Sequence, residues 1–177
     1  MDYILLNEQE KQKYSNDIIS MMKESDNDFV PPLSARSSTL QSYLKGGCNS
    51  GDVLPYFNEM IKQEILAVIE DNKMLGFVSF KKDFTNDKIT AKTLPNIYLS
   101  TLILAKVARG KGLTVKLYDH LFNTLYPDRS IFTRTWSTNF AHKKILGKFD
   151  FTELARIEND RGINIDTVYY SKIRTNL

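Results

Sequence analysis

The spacing of apolar residues changes several times along the chain, and each change marks an element. Tyr3 to Leu6 is a short apolar run that predicts a first strand, and the polar, helix-favouring Asn7 to Lys13 follows at once. Tyr14, Ile18, Ile19, Met21 and Met22 recur at helical spacing, which predicts an amphipathic helix ending near Ser25–Asp28. Phe29-Val30-Pro31-Pro32-Leu33 must be extended or turning, because proline fixes its own φ and disfavours the α region for the residue before it. A second helical region is expected in two pieces, near Ser38–Leu44 and Val53–Lys62, broken by Gly46-Gly47-Cys48-Asn49-Ser50-Gly51.

From Glu64 the period shortens. Ile65–Ile69 and Leu75–Phe80 read as two strands of a hairpin joined through Glu70-Asp71-Asn72-Lys73. A polar loop, Lys81–Lys92, leads to a long β-rich run, Asn96–Leu104. Leu117, Tyr118, Leu121, Phe122 and Leu125 then share one helical face, with His120 on the polar side. A strand at Ser130–Trp136, a short helix at Asn139–Lys148, and two β-rich runs, Phe151–Ile157 and Ile165–Ile173, complete the pattern, with Asn159-Asp160-Arg161-Gly162 as the last turn. The order β-α-α-β-β-β-α-β-α-β-β predicts an α/β or α+β fold, a mixed sheet with helices on both faces.

Length makes this one domain, 1–177, since a chain of that size buries roughly 70 % of its unfolded surface around one core. Acidic and basic residues are interspersed and sum to only +3, so no basic stripe of the kind nucleic-acid binders carry is present, and no nucleic-acid partner is expected. No run reaches the roughly 18 apolar residues of a membrane span, and Met1-Asp2-Tyr3 does not open a basic, then apolar, leader. The expectation is a cytoplasmic protein with no membrane partner. One cysteine, Cys48, and two histidines, His120 and His142, leave no disulfide and no cluster with metal-ligand spacing.

The segment Ala105–Thr114 carries the candidate chemistry, because it sets Gly110 and Gly112 among basic residues between a buried strand and a helix start. Exposed N–H groups, the positive end of the helix dipole and the missing Cβ at glycine suit a phosphate or pyrophosphate. Gly112 follows Lys111 where a P-loop requires Ser or Thr, and Val115 stands where the dinucleotide pattern G-x-G-x-x-G requires its third glycine, so both patterns fail. Arg109-Gly110-Lys111-Gly112-Leu113-Thr114 instead resembles the Arg/Gln-x-x-Gly-x-Gly/Ala signature of the GNAT acetyltransferases, departing only at Thr114. Leu102 and Leu104 fall where that family keeps its cofactor-facing strand pair, and Asn139 to Phe151 keeps the spacing of a second family motif, with Asp150 in place of its glycine.

The resemblance implies a mostly antiparallel sheet and transfer of an acetyl group from acetyl-CoA, or another acyl-CoA, to an amine acceptor by direct attack in a ternary complex. It implies cofactor contacts at Leu102, Ile103, Leu104, Arg109, Gly110, Lys111, Gly112, Leu113, Thr114, Asn139 and His142, and an acceptor wall that includes Phe29, Pro31, Ser100 and Tyr170. A homodimer is compatible with it. Two usual proton handlers are missing: Leu146 stands seven residues after Asn139, where many members have Tyr, and Tyr98 stands eleven residues before Arg109, where many have Glu. Tyr98, His142 and Tyr169 are the replacement candidates. Equal strand parity further predicts that Tyr98 and Ser100 face the same side as Leu102 and Leu104. The rival reading is an idle acyl-CoA-binding or interaction module that has lost its acid and base.

Overall fold

In a computed structural model, which describes residues 1–40, 44 and 51–174, the alternating runs become seven strands of one sheet. They are β1 (Asp2–Leu5), β2 (Glu64–Glu70), β3 (Lys73–Lys82), β4 (Asn96–Leu104), β5 (Ser130–Trp136), β6 (Thr152–Gly162) and β7 (Ile165–Lys172), in the order β1-β2-β3-β4-β5-β7-β6. Neighbours run antiparallel except β4 and β5, which run parallel. The helices are α1 (Glu8–Lys13), α2 (Ser15–Glu24), α3 (Leu54–Met60), α4 (Leu113–Asp119) and α5 (Phe140–Lys148).

Local chemistry explains the boundaries. Asn7 accepts a hydrogen bond from the N–H of Glu10, and the Glu10 carboxylate accepts one from the N–H of Asn7, a capping box that starts α1. Asp71 and Asn72 take φ of 50° and 60°, the two left-handed positions that a two-residue hairpin turn requires between β2 and β3. α4 passes into a π-helical turn at His120–Leu125, closed by the N–H of Tyr126 on the carbonyl of Leu121.

The sheet divides the interior. Ile18, Met21 and Met22 of α2, with Tyr56, Phe57 and Met60 of α3, pack on one face against Ile65, Ala67, Phe77 and Ile103. On the other, Leu117, Tyr118 and Leu121 of the α4 region and Leu146 of α5 pack against Leu66, Val78, Leu99, Ile131 and Val168. Alternation along β2 sends side chains to both cores, which is why its middle is apolar at every position.

Three expectations change. β6 runs through the anticipated turn at Asn159–Gly162, with a register irregularity between Ile157 and Gly162, because Asp160 and Arg161 are buried by tertiary contacts and the chain reverses only at residues 163–164. His120, on the polar side of its helix, is half-buried and stacks on Tyr3, with ring centres 5.2 Å apart. Of the helical piece expected at Ser38–Leu44, residues 38–40 include a turn and Leu44 is buried, whereas 41–43 and the glycine-rich break at 45–50, Cys48 included, lie outside the described residues.

Gly76 of β3 pairs with Leu104 at the end of β4. A Cβ there would stand 2.9 Å from the carbonyl oxygen of Ile103 and closer still to Leu104 Cδ2. The leucine can rotate away, but the backbone oxygen cannot. Gly76→Ala is expected to cost about 1–3 kcal/mol of stability by overpacking; an unaltered melting curve would show that β3 and β4 lie farther apart than this.

Candidate active site

β4 and β5 are paired only from Asn96 opposite Ser130 to Leu99 opposite Thr133. Beyond that point β4 stays with β3 as far as Leu104, and β5 stays with β7 as far as Trp136, so the two strands part. The hydroxyl of Thr133 donates to the carbonyl of Leu99 at 3.2 Å and closes the vertex. Beyond it lies a cleft of about 330 Å³ lined by Ser100–Leu104 on one side and Arg134–Trp136 on the other.

A β-bulge sits at the vertex. Ser79 pairs with Thr101 and Phe80 with Leu99, leaving Ser100 as the extra residue of β4. Its hydroxyl donates to Gln63 Oε1 and lies 2.9 Å from the Ser79 hydroxyl, so the irregularity is held by polar partners. An extra residue reverses the alternation beyond it. Leu99 and Leu102 therefore share the α4–α5 face, while Thr101 and Ile103 turn to the α1–α3 face, where Thr101 lies 2.8 Å from the Tyr56 hydroxyl.

At one end of the cleft the chain turns into α4. Gly110 and Gly112 adopt φ of 74° and 72°, with no atom within 4 Å of where a Cβ would stand. Gly112 is the N-cap residue, and no side chain caps the helix, so the first-turn N–H groups remain for another acceptor. Arg109 to Gly112 are exposed, and Thr114 lines the cleft. Open glycine turns, uncapped N–H groups and an adjoining cleft fit the pyrophosphate and pantetheine arm of an acyl-CoA.

No protein-family profile matches the sequence, and no curated protein does. Solved structures match over nearly the whole chain. An N-acetyltransferase from Staphylococcus aureus Mu50 superposes with a TM-score of 0.69 at 15% identity, covering 97% of both chains. The yncA protein of Salmonella typhimurium, determined with its cofactor acetyl-CoA, gives 0.66 at 13% identity, over 100% of this chain and 95% of that one. An acetyltransferase of the GNAT family from Bacillus cereus ATCC 10987 gives 0.61 at 15% identity, over 99% and 98%. The fold is that of the GNAT acetyltransferases.

Within this GNAT fold the anticipated site residues separate into groups. Leu102, Ile103, Leu104, Arg109, Gly110, Thr114, Asn139 and His142 line the cleft, as do Phe29 and Ser100. The Arg109 guanidinium is already engaged: it pairs with Asp28 at 2.8 Å and donates to Ser25 Oγ and to the carbonyl of Leu104, fastening the glycine turn to the end of α2. Asn139 caps α5 by accepting from the N–H of His142. The Leu113 side chain is buried beneath α4, and the Pro31 carbonyl is occupied by Arg36.

Three candidates are corrected. Tyr98 does not share a side with Leu102, because the bulge at Ser100 reverses parity; it is buried with Tyr169, Phe132 and Ile89, its ring tilted against that of Phe84 at 4.6 Å. Burial raises its pKa. Tyr169 shares that cluster and does not reach the cleft lining, and Tyr170 faces the apolar core under α4 and α5.

Tyr118 was missed by sequence reasoning. It reads as one more apolar residue on the helix face, but its hydroxyl lies 2.9 Å from His142 Nε2, and both residues line the cleft. Burial pushes the His142 pKa down to about 4, so the imidazole is neutral at physiological pH, and burial also raises that of Tyr118. Nothing in sequence spacing links the two, since they are brought together only by the packing of α4 on α5.

Two outcomes are expected. Unfolded His142 binds a proton at about its ordinary 6.5 and the folded residue only near about 4, so acidification through that window favours unfolding. His142→Gln is therefore expected to lose less melting temperature than the parent between pH 6.5 and 4, and equal losses would show that the imidazole titrates normally. Gly112→Val meets open space but places a branched residue at φ 72°, so a cost of about 1–3 kcal/mol in stability should accompany loss of acetyl-CoA binding. Undiminished affinity of the folded variant, read by calorimetry, would remove the glycine turn from the site.

Proposed function

We propose that this chain is an acetyl-CoA-dependent N-acyltransferase. The observation that carries the reading is the cleft between β4 and β5 with an uncapped, left-handed glycine turn at its end. The N–H groups from Gly110 to Thr114 would hold the pyrophosphate, and the β5-facing edge of β4 beyond Leu99 would hold the pantetheine arm. Acetyl-CoA, when bound, supplies the activated acetyl thioester. The amine enters from the α1–α3 side, past Phe29 and Trp136, whose rings lie 5.8 Å apart. Holding both reactants in line can supply up to about 7–11 kcal/mol of the barrier.

Proton handling falls to the pair on α4 and α5. Neutral His142 orients the Tyr118 hydroxyl through their hydrogen bond, and Tyr118 donates its proton to the departing thiolate. The proton shed by the attacking amine would pass through solvent to restore the Tyr118 hydroxyl. The rival, an idle acyl-CoA-binding module, draws support from the burial of Leu146 and Tyr98, which stand where many family members keep an acid and a base.

Among the described residues no helix is long and apolar enough to cross a membrane, and no group of three His, Cys, Asp or Glu is placed to hold a metal ion. We read the site of action as the cytoplasm.

Calorimetry with acetyl-CoA, ATP and NAD is expected to rank acetyl-CoA tightest; tighter binding of either nucleotide would overturn the reading of the loop. In an assay of thiol release with a panel of amines, Tyr118→Phe should lower kcat by about 10²- to 10⁴-fold with acetyl-CoA affinity retained. No amine-dependent thiol release by the parent would favour the idle module.

A further inference from the structure

Three arginines gather on the α1–α3 side of the cleft. Arg134 of β5 lines the cleft itself. Arg161 of β6 lies over the Trp136 ring at 5.7 Å, and Arg36 over the Phe29 ring at 5.4 Å, so both guanidiniums adjoin residues that also line the cleft. Arg36 and Arg161 are only 9% and 7% exposed.

What these cations lack is a carboxylate. Arg36 donates twice to the carbonyl of Pro31, Arg161 donates to the carbonyl of Val30 and the hydroxyl of Thr167, and Arg134 donates to the carbonyl of Thr39. Among the described residues none of the three has a carboxylate oxygen within 4.0 Å, whereas Arg109, Arg129 and Arg156 each do. Residues 41–43 and 45–50 contain no acidic side chain. Asp26 and Asp160 face the cluster at longer range, and both are committed: Asp26 accepts from the N–H and hydroxyl of Ser34, and Asp160 accepts from the hydroxyl of Thr167.

Buried cations are costly without counter-charge, and guanidinium is the side chain best shaped to grip a carboxylate or phosphate. Burial, then the nearby Arg36 and Arg134, push the Arg161 pKa down to about 9. Burial also opposes the charge of Arg134, and the neighbouring Tyr98 and Tyr169 side chains, the second through a hydrogen bond, offset it. An anion at the wall would relieve the mutual repulsion of all three.

We infer that the acceptor is a small amine that also carries an oxyanion, a carboxylate or a phosphate, and that Arg134, backed by Arg36 and Arg161, binds that group on the α1–α3 side of the cleft. This rests on the acyltransferase reading. The oxyanion would anchor the far end of the acceptor and leave its amine to reach between β4 and β5. Arg134 thus selects the substrate, and the carbonyl bonds of Arg36 and Arg161 keep the Phe29–Leu40 loop in place around it.

The test compares butylamine, 4-aminobutyrate and phosphoethanolamine as acceptors, and separately measures the binding of butyrate and of ethyl phosphate to the protein without acetyl-CoA. At least one anionic amine is expected to exceed butylamine about tenfold or more in kcat/KM, and the better of the two identifies the oxyanion. Arg134→Gln should lower kcat/KM for that amine about 10- to 100-fold more than for butylamine, the loss expected for a charged hydrogen-bonding partner, with Arg134→Lys in between. Thermal shifts of the parent by the matching anion should disappear in Arg134→Gln. Equal use of all three amines, or an Arg134→Gln loss shared equally among them, would overturn the inference and leave the arginines as loop fasteners. Should no amine be acetylated and acetyl-CoA fail to bind, the acyltransferase reading falls, while an Arg134-dependent thermal shift would still report the anion site.

Discussion

The parting of β4 from β5 is the constraint on which the remaining architecture depends. A parallel pair bonded at only four positions can separate cheaply if each strand keeps its antiparallel neighbour, and β3 and β7 provide that on either side. The gap opens the sheet between two hydrophobic cores, so its rim needs partners of its own. Thr133 seals the vertex against Leu99, and the Ser100 bulge is satisfied by Ser79 and Gln63. Unmet polar groups at such a place would each cost about 1–3 kcal/mol.

Two sets of positive groups then define the two sides of the cleft by different means. Toward α4 the charge is backbone: uncapped N–H groups and the helix dipole, presented by glycines with no side chain to obstruct a phosphate. Toward α2 it is guanidinium, with Arg36, Arg134 and Arg161 all donating to carbonyls of the loop that carries Phe29. Arg109 joins the two, since it leaves the glycine turn to grip Ser25 and Asp28. A basic residue within a phosphate-loop signature thus acts here as a brace that fixes the shape of the loop.

Much of this was legible in the chain. Strand and helix periods located nearly every element, because burial of one face imposes period 2 or 3.6 regardless of the partner. Gly110 and Gly112 announced a left-handed turn, because glycine adopts such φ without steric cost, and the proline pair marked a non-helical loop. Such signals are local: each depends on a residue and its near neighbours, which the sequence contains in full.

Other features depend on contacts between distant residues and left no local mark. The Ser100 bulge arises from register with β3, and it moved Tyr98 to the opposite face from Leu102. Arg161 looks like part of a turn until Trp136 and Thr167 bury it, and Tyr118 looks like core until α5 brings His142 to its hydroxyl. What the sequence determined by itself was the order of elements, the fold they imply and the glycine turn before α4, since periodicity and backbone conformation are properties of short segments. Which side chains meet across the cleft, and with what charge, was decided only by the tertiary structure, because strand register and helix packing set those distances and neither is written in any one segment.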